Sequence, residues 1–406
     1  MPSALSQVPG VQATGMQCMR ASNNARQRMS PENEFVKVSM TFLEQQLAYP
    51  LGNNLPEPGA TMQVAPGVRW LRMGLPFALN HVNLWLLRDE MEDPNDPGHR
   101  QEGWTVVDCC ISAPESRAQW ESVFANELEG LPVLRVIVTH MHPDHIGLAA
   151  WLCERWTTLS HTCRLWISAT DYGAALNGAR GSTGFGGDSA ARFFASHGLT
   201  DPESIETIKG RSAYYPDLVP DVPPSYVRLM DGQTVRIGSG KNRRNWRCIS
   251  GYGHAPEHIA LYCADLSVLI AGDMVLPRIS TNVSVYDQEP EADALALFLA
   301  SITKYLTLPA DTLTLPSHGK PFTGLHTRIG QLQDHHRDRL DEVMAACGAL
   351  PHSAADVVPL MFKRALDLHQ MTFAIGEALA HLHLLWFENK LRRHLGSDGI
   401  YRFSAL

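Results

Sequence analysis

Short apolar runs alternate with amphipathic stretches over most of the chain between residues 64 and 325. Runs rich in Val, Leu and Trp are typical of buried strands. Apolar positions spaced three or four residues apart between those runs indicate helices. The predicted strands are Val68–Met73, Val82–Arg88, Trp104–Cys110, Val133–Thr139, Arg164–Ser168 and Asp311–Leu315, and the predicted helices are Ser116–Glu129, Ile146–Trp156 and Ala292–Tyr305. This alternation indicates an α/β layer architecture.

The middle of the chain is less regular, but two hairpins are predicted there. Asp231-Gly232 lies between the apolar segments VRLM and TVRIG and is a typical hairpin turn. Ile259–Cys263 and Ser267–Ala271 form a second hairpin. The glycine-rich stretch Gly181–Ser189 is predicted to be a flexible loop, because its glycine spacing does not match a phosphate-binding motif.

Both ends of the chain differ from this pattern. Residues 1–39 are polar and aperiodic, which predicts a disordered tail, and the main domain is placed at residues 40–325. Residues 326–406 are predicted to form a helical module with helices at Thr327–Cys347, Ala354–Ala365 and Gly376–Leu391. A turn and a short strand follow, so the module is winged-helix-like.

Composition narrows the classes of function. The chain is 44% hydrophobic and 19% charged, which is typical of a globular protein. Its net charge of −8 argues against nucleic acid as a partner, and no apolar run is long enough for a membrane span. The eight cysteines form no CxxC pair, which favours reduced thiols and a cytoplasmic location.

One segment concentrates metal-binding chemistry at a predicted strand–helix junction. Residues 139–147 read THMHPDHIG and contain His140, His142, Asp144 and His145. Imidazole and carboxylate groups are ligands that zinc and iron accept. Alternate residues of an extended segment project to the same side, so His140 and His142 can share one ion while Asp144 and His145 address a second.

Further candidate ligands follow other predicted strands, in the same way. His254 and His258 lie in GYGHAPEH, Asp273 follows LIAG, and His318 lies in LPSHGK. Asp108 ends the strand WTVVDCC. Each residue alone has an ordinary structural explanation, as a cap or a loop residue. Together, in this order, they indicate one site.

These ordered motifs resemble those of the metallo-β-lactamase superfamily of hydrolases, over about Pro66 to Gly324. The resemblance implies a four-layer αβ/βα sandwich for residues 40–325 and two divalent metal ions, with zinc favoured and iron or manganese compatible. It also implies roles for each motif residue: His140, His142 and His254 on one ion, Asp144, His145 and His318 on the other, Asp273 bridging both, and Asp108 and His258 supporting the ligands from behind.

The resemblance also suggests the type of reaction. A carboxylate at Asp273 in addition to Asp144 resembles the hydroxyacylglutathione hydrolases, lactonases, phosphodiesterases and tRNA-processing endonucleases. A hydroxide bridging two ions would be the nucleophile, and Asp144 would be catalytic by orienting it and carrying its proton. We expect hydrolysis of a small ester, thioester or lactone. The alternatives are a phosphodiesterase or endoribonuclease that holds RNA with the C-terminal module and, less consistent with the ligand set, a diiron redox protein.

Substrate contacts are poorly specified by the sequence. The segment from Arg211 to Pro216 fits either a pocket wall or ordinary loop packing, and Lys320 is a candidate contact to an anionic group. Asn80, His81 and Asn83 surround the start of a strand and are expected to support the fold. The apolar faces of Gly376–Leu391 suggest burial against neighbouring helices or a homodimer partner.

Overall fold

The computed structural model describes residues 42–92, 98, 100–181 and 186–406. The predicted tail, residues 1–39, lies outside the described residues, as do residues 182–185 of the predicted loop Gly181–Ser189. The described part contains two β-sheets with helices on their outer faces, and a helical C-terminal region.

The first sheet has seven strands that follow one another in chain order. Antiparallel pairing joins the first four strands, and parallel pairing joins the last four. The strands are β1 (Thr61–Ala65), β2 (Val68–Gly74), β3 (His81–Glu92), β4 (Arg100–Val107), β5 (Val133–Ile137), β6 (Arg164–Ser168) and β7 (Tyr226–Leu229).

The second sheet has five strands in the order β12-β11-β10-β9-β8. Its last two strands along the chain pair in parallel, and the other pairs are antiparallel. The strands are β8 (Thr234–Ile237), β9 (Arg244–Gly251), β10 (His258–Cys263), β11 (Val268–Gly272) and β12 (Leu313–Pro316). The predicted second hairpin is therefore confirmed as β10 and β11.

The helices lie on the outer faces of the two sheets or follow them at the C-terminus. They are α1 (Pro114–Asn126), α2 (Pro143–Ile146), α3 (Ala149–Trp156), α4 (Ala169–Ala179), α5 (Gly187–Ser196), α6 (Pro202–Gly210), α7 (Tyr214–Leu218), α8 (Ala294–Thr303), α9 (Leu325–Ala349), α10 (Ala354–Met361) and α11 (Leu368–Phe387). A two-stranded hairpin, β13 (Leu391–Leu395) and β14 (Tyr401–Ala405), ends the chain.

Alternation of side chains along the strands produces three cores. Trp70 and Trp85 of the first sheet meet Trp246 and Ile259 of the second between the sheets. The opposite face of the first sheet packs against α1 and α3, and the opposite face of the second sheet packs against α8, α9 and α11. Successive side chains of a strand point to opposite faces of its sheet, and both faces of each sheet are buried here. The layers of the molecule therefore follow the order helix, sheet, sheet, helix. The predicted four-layer αβ/βα fold is confirmed.

The hairpin predicted at Asp231-Gly232 is wrong. The strands on either side of this turn, β7 and β8, belong to different sheets, so the turn carries the chain from one sheet to the other. The turn is held by β9 instead: Gly232 N–H donates to the Cys248 carbonyl, and Ser250 N–H donates to Asp231 Oδ1. Turn chemistry fixes a reversal of the chain, but it does not specify the pairing of the flanking strands.

Several predicted helix bounds need correction. The predicted Ile146–Trp156 is two helices, α2 and α3, and the predicted Ala354–Ala365 ends at Met361. The predicted Gly376–Leu391 begins eight residues earlier, at Leu368, because Asp367 and Gln370 form a capping box there. The irregular middle also contains α4 to α7, and α5 starts inside the stretch predicted as a loop.

The C-terminal helices share one hydrophobic core with α8 and the second sheet. The winged-helix-like character of this region stays a prediction. The cysteines among the described residues are buried and none is in a disulfide. Within the described ranges, the helices are all too short or too polar to cross a bilayer.

Candidate metal centre

The predicted ligands lie just beyond the ends of strands in both sheets, on loops and, for Asp144 and His145, in the short helix α2. His140, His142, Asp144 and His145 follow β5, His254 lies between β9 and β10, and Asp273 and His318 directly follow β11 and β12. The structure brings all seven side chains together at one edge of the sandwich.

Three imidazoles form the first group. His140 Nε2 lies 2.9 Å from His142 Nδ1 and 3.2 Å from His254 Nε2. One ligand atom from each of the three lies within 4.8 Å of the others. This grouping matches the set that the resemblance implies for one ion.

The second group consists of Asp144, His145 and His318, and Asp273 lies between the two groups. Asp144 Oδ2 is 3.6 Å from His145 Nε2 and 3.4 Å from His318 Nε2. Asp273 Oδ1 is 3.4 Å from His318 Nε2, and its Oδ2 is 3.4 Å from His254 Nε2. The two oxygens of Asp273 therefore face different groups, so this carboxylate lies within reach of both.

Unpartnered polar atoms show that this donor set fits cations. His145 Nε2, His318 Nε2 and Asp273 Oδ1 are buried and make no hydrogen bond; the two nitrogens face the oxygen at 3.6 and 3.4 Å, across the position of an ion. Buried polar atoms without partners are costly, and natural proteins avoid them unless an ion or water satisfies them. A mixed set of imidazole nitrogens and carboxylate oxygens suits zinc, iron or manganese.

Three of the rings are oriented by a hydrogen bond on the nitrogen that faces away from the centre. His254 Nδ1 donates to the Asn282 carbonyl and His318 Nδ1 donates to the His81 carbonyl, both at 2.7 Å. His145 Nδ1 donates to Asp108 Oδ2 at 2.8 Å. In the neutral form of these three rings, this pattern leaves Nε2 without a proton and available to a cation.

Asp108 also holds the loop that carries four of the ligands. Its Oδ1 accepts the Thr139 backbone N–H at 2.8 Å, and its Oδ2 accepts the Thr139 hydroxyl at 2.9 Å. Asp108 is fully buried and has a φ of +63°, a left-handed conformation that is costly for a residue other than glycine. The position agrees with the supporting role implied for it.

His258 supports Asp273 from behind. Its Nε2 accepts the Asp273 backbone N–H at 3.3 Å, so the ring must be neutral. Burial, followed by the nearby His254, holds the pKa of His258 well below its usual range. A Cβ on Gly272, whose φ is +55°, would lie 2.0 Å from His258 Nε2, which explains the glycine before Asp273.

His81 and Asn83 hold the loop of His318, as expected of residues that support the fold. His81 Nε2 accepts the Gly319 N–H at 2.7 Å, and Asn83 Nδ2 donates to the Pro316 carbonyl at 2.8 Å. Burial, with Arg72 nearby, lowers the pKa of His81 to about 3, which keeps the ring an acceptor. Asn80 contacts His81 Nδ1 on the surface.

Asp171 and Tyr215, which sequence reasoning missed, clamp the ligand loops. Asp171 Oδ1 accepts the Met141 N–H at 2.8 Å, and its Oδ2 accepts the Glu257 N–H. Tyr215 Oη donates to the Met141 carbonyl. Asp171 therefore ties the loop of His140 and His142 to the loop of His254. The only sequence signal was the capping pattern Ser168-x-x-Asp171 at the start of α4.

The electrostatics of the centre favour ionised carboxylates. Burial alone would raise the pKa of Asp144, but His145 and His318 lower it to about 2. Burial would lower the pKa of His145, but Asp144, Asp108 and Asp273 raise it to about 9. Burial, with His254, lowers the pKa of His142 to about 3. Asp144 and Asp273 thus face the imidazole cluster as ionised carboxylates, which attract cations.

A cavity of about 580 Å³ opens onto the centre. Its floor includes Asp144, Asp273 and His318. Tyr214 from the Arg211–Pro216 segment lines it, so that segment is in part a cavity wall. Lys320 is absent from its lining and donates to Asn53 Oδ1 and the Gly52 carbonyl. Part of the cavity wall comes from the C-terminal region, which the sequence did not indicate.

Comparison with family models gives two matches. Residues 98–318 match the model described as Metallo-beta-lactamase superfamily, which spans more than half of the chain. Residues 340–406 match the model described as Metallo-beta-lactamase-like, C-terminal domain.

Individual relatives extend these matches over most of the chain. "Probable metallo-hydrolase YqjP" from Bacillus subtilis (strain 168) is 23% identical over 341 residues, which cover 82% of this chain and 96% of that protein. A beta-lactamase domain protein from Burkholderia ambifaria is 54% identical, with a TM-score of 0.82, over 90% of this chain and 100% of that one. A metallo-beta-lactamase family protein from Thermus thermophilus is 26% identical, with a TM-score of 0.66, over 85% of this chain and 100% of that one.

Proposed function

The chain belongs to the metallo-beta-lactamase superfamily and is a metallo-hydrolase, and from this premise we propose that it uses two divalent metal ions to hydrolyse a small ester, thioester or lactone. The observation that carries the proposal is the convergence of two three-residue groups on one shared carboxylate, that of Asp273. Zinc is the favoured metal, and iron or manganese is compatible with the same ligands.

The proposed ligand roles follow the two groups. His140, His142 and His254 would hold one ion, Asp144, His145 and His318 the other, and Asp273 both. When bound, a pair of divalent ions lowers the pKa of a shared water toward neutrality and polarises the scissile carbonyl.

Asp144 is the proposed proton carrier. It lies at the floor of the cavity, with 18% of its side chain exposed there, so a carboxylate oxygen can reach both water and substrate. The water oxygen bonds to the acyl carbon, and the bond from that carbon to the leaving oxygen or sulfur breaks. The proton released by the water passes through the Asp144 carboxylate to the leaving atom.

Cavity size and charge support a small molecule over a polymer. A volume of about 580 Å³ is typical of small-molecule sites. Among the described residues that line the cavity, Arg364 is the only lysine or arginine, and it donates to Gln370 Oε1 at 2.8 Å. A net charge of −8 also disfavours a polyanionic substrate.

The first experiment combines elemental analysis of the purified protein with a panel of thioesters, lactones, phosphodiesters and RNA. We expect close to two metal ions per chain and turnover of the thioesters or lactones. Turnover of phosphodiesters or RNA alone, with RNA binding that weakens steeply as salt is added, would contradict the proposal and favour the nuclease alternative.

The role of Asp144 is tested by Asp144→Asn, which preserves the size of the side chain. We expect kcat to fall at least about 100-fold, because the carboxylate that carries the proton is lost. Metal held by the three-histidine group should remain detectable by elemental analysis. Asp334→Asn, on the exposed face of α9, is the control and should leave kcat unchanged. A near-normal kcat for Asp144→Asn would reject this role.

A further inference from the structure

The cavity that opens onto the metal centre is lined by apolar side chains as well as by ligands, and these side chains are called its apolar wall. One part of this wall is the segment 75–79, which reads LPFAL between β2 and β3. The other part comes from the C-terminal region, where Phe362, Leu366 and Phe373 face the cavity. All three side chains are only partly buried, so apolar surface is left in contact with the cavity.

The helical spacing of α11 explains how it contributes to this wall. Gln370, Phe373, Ala374 and Glu377 recur at intervals of three or four residues and share one face of the helix, which lines the cavity. The opposite face, with residues such as Leu379, is buried in the core with α8 and α9. The position of Phe373 over the centre is therefore fixed by packing of the whole helix.

The chemistry of the wall discriminates between candidate substrates. A phosphate group would need several cationic or N–H donors, and Arg364 is the one lysine or arginine among the described lining residues. Most of the exposed lining of the cavity is apolar carbon, to which Phe362, Leu366 and Phe373 contribute beside polar residues of the same region. Apolar surface facing a cavity favours burial of a hydrocarbon group, at about 0.8 kcal/mol for each methylene removed from water.

We propose that the substrate carries an apolar acyl chain, and that this chain binds between the segment 75–79 and Phe362, Leu366 and Phe373 of the C-terminal region. The inference rests on the proposed function, since the acyl carbon must lie at the metal centre. It assigns the C-terminal helices to substrate selection in addition to their place in the core.

The first test compares acetyl, hexanoyl and decanoyl thioesters with the metal-loaded full chain. Four additional buried methylenes, at about fourfold each, should raise kcat/KM for the hexanoyl substrate roughly 200-fold over the acetyl substrate. Equal kcat/KM for acetyl and hexanoyl substrates would overturn the inference and leave the proposed function intact. No turnover of any acyl substrate, with turnover of phosphodiesters, would overturn the proposed function as well.

The second test narrows the cavity with Leu366→Trp, in the non-helical segment between α10 and α11. We expect at least a 10-fold loss of kcat/KM for the hexanoyl and decanoyl substrates and a change of less than twofold for acetyl. Leu350→Trp is the matched control, because Leu350 is 67% exposed and does not line the cavity. Circular dichroism and metal content confirm that each variant folds. Equal losses for all three chain lengths would contradict the assignment.

Discussion

Asp108 and Asp171 show that the geometry of the centre is determined by carboxylates that need not touch a cation. Asp108 accepts two hydrogen bonds from Thr139 and one from His145, and these bonds offset its left-handed backbone. Asp171 is buried and accepts backbone N–H groups from both sides of the three-histidine group. Residues of this kind are expected to affect metal affinity as strongly as some of the ligands do.

Replacement of Asp171 by alanine should weaken metal binding. The Met141 and Glu257 N–H groups would lose their acceptor, and the two loops would be free to separate. We expect a 10- to 100-fold loss of zinc affinity, of the order seen for outer-shell partners, in competition titrations with a chelator. Asp201→Ala, which removes an exposed N-cap of α6, should lower the melting temperature without changing the affinity. Wild-type affinity for Asp171→Ala would refute the clamp.

At the scale of elements, the helix α11 both packs in the hydrophobic core and lines the cavity above the metal centre. One face is core, and the other lines the active-site cavity and ends in Glu377, whose side chain is almost completely buried. Asn282 Nδ2 donates to Glu377 Oε2 at 3.5 Å, and burial raises the pKa of this carboxyl to about 7. A carboxyl in this position costs stability whenever it is ionised.

Glu377→Gln should therefore stabilise the protein in a pH-dependent way. Between about pH 4.5 and pH 7 the native carboxyl keeps a proton that the unfolded chain releases, so its contribution to stability falls as pH rises. Above pH 7 the variant should be more stable by about 3 kcal/mol, and near pH 4.5 the two proteins should be nearly equal.

Urea unfolding at pH 5 and pH 8 measures this difference. Glu388→Gln, on an exposed residue just beyond α11, is the control and should change stability by less than about 0.5 kcal/mol at both pH values. The idea is wrong if Glu377→Gln has the same effect at both values.

The sequence predicted elements well where the chemistry is local. Strands such as β6 could be identified from their apolar runs. The seven candidate ligands could be identified because imidazole and carboxylate side chains follow such runs closely along the chain. The pairing of β7 and β8 with different sheets could not, since a turn motif carries no information about distant partners. Asp171, Tyr215 and the C-terminal cavity wall were missed for the same reason: their partners lie far away in the sequence.

For the whole molecule, the cores and the metal centre are separate. The three hydrophobic clusters fill the spaces between and outside the sheets, while the ligands lie beyond the strand ends at one edge. The buried cores therefore do not depend on a bound cation. We expect the centre itself to depend on one, because carboxylates and several buried atoms without hydrogen bonds are gathered there.

Removal of metal should lower stability without unfolding the protein. A ligand present at about 1,000 times its Kd stabilises the native state by about 4 kcal/mol, so the melting temperature should fall by several degrees in chelator. Far-ultraviolet circular dichroism should be retained, and zinc or manganese should restore the transition. Scanning calorimetry with and without chelator measures the effect, and identical melting temperatures would show that no cation binds at this centre.

The two-faced packing of α11 has a consequence for how this chain can diversify. Exchanges at Phe373 or Ala374 alter a helix that also holds the core together, so most new preferences gained there would come with weaker folding. The segment 75–79 lines the same space from a connection between two strands, where exchanges disturb less of the interior. Laboratory selection for altered substrates should accumulate changes in that connection first, and changes in the helix should require compensating ones elsewhere.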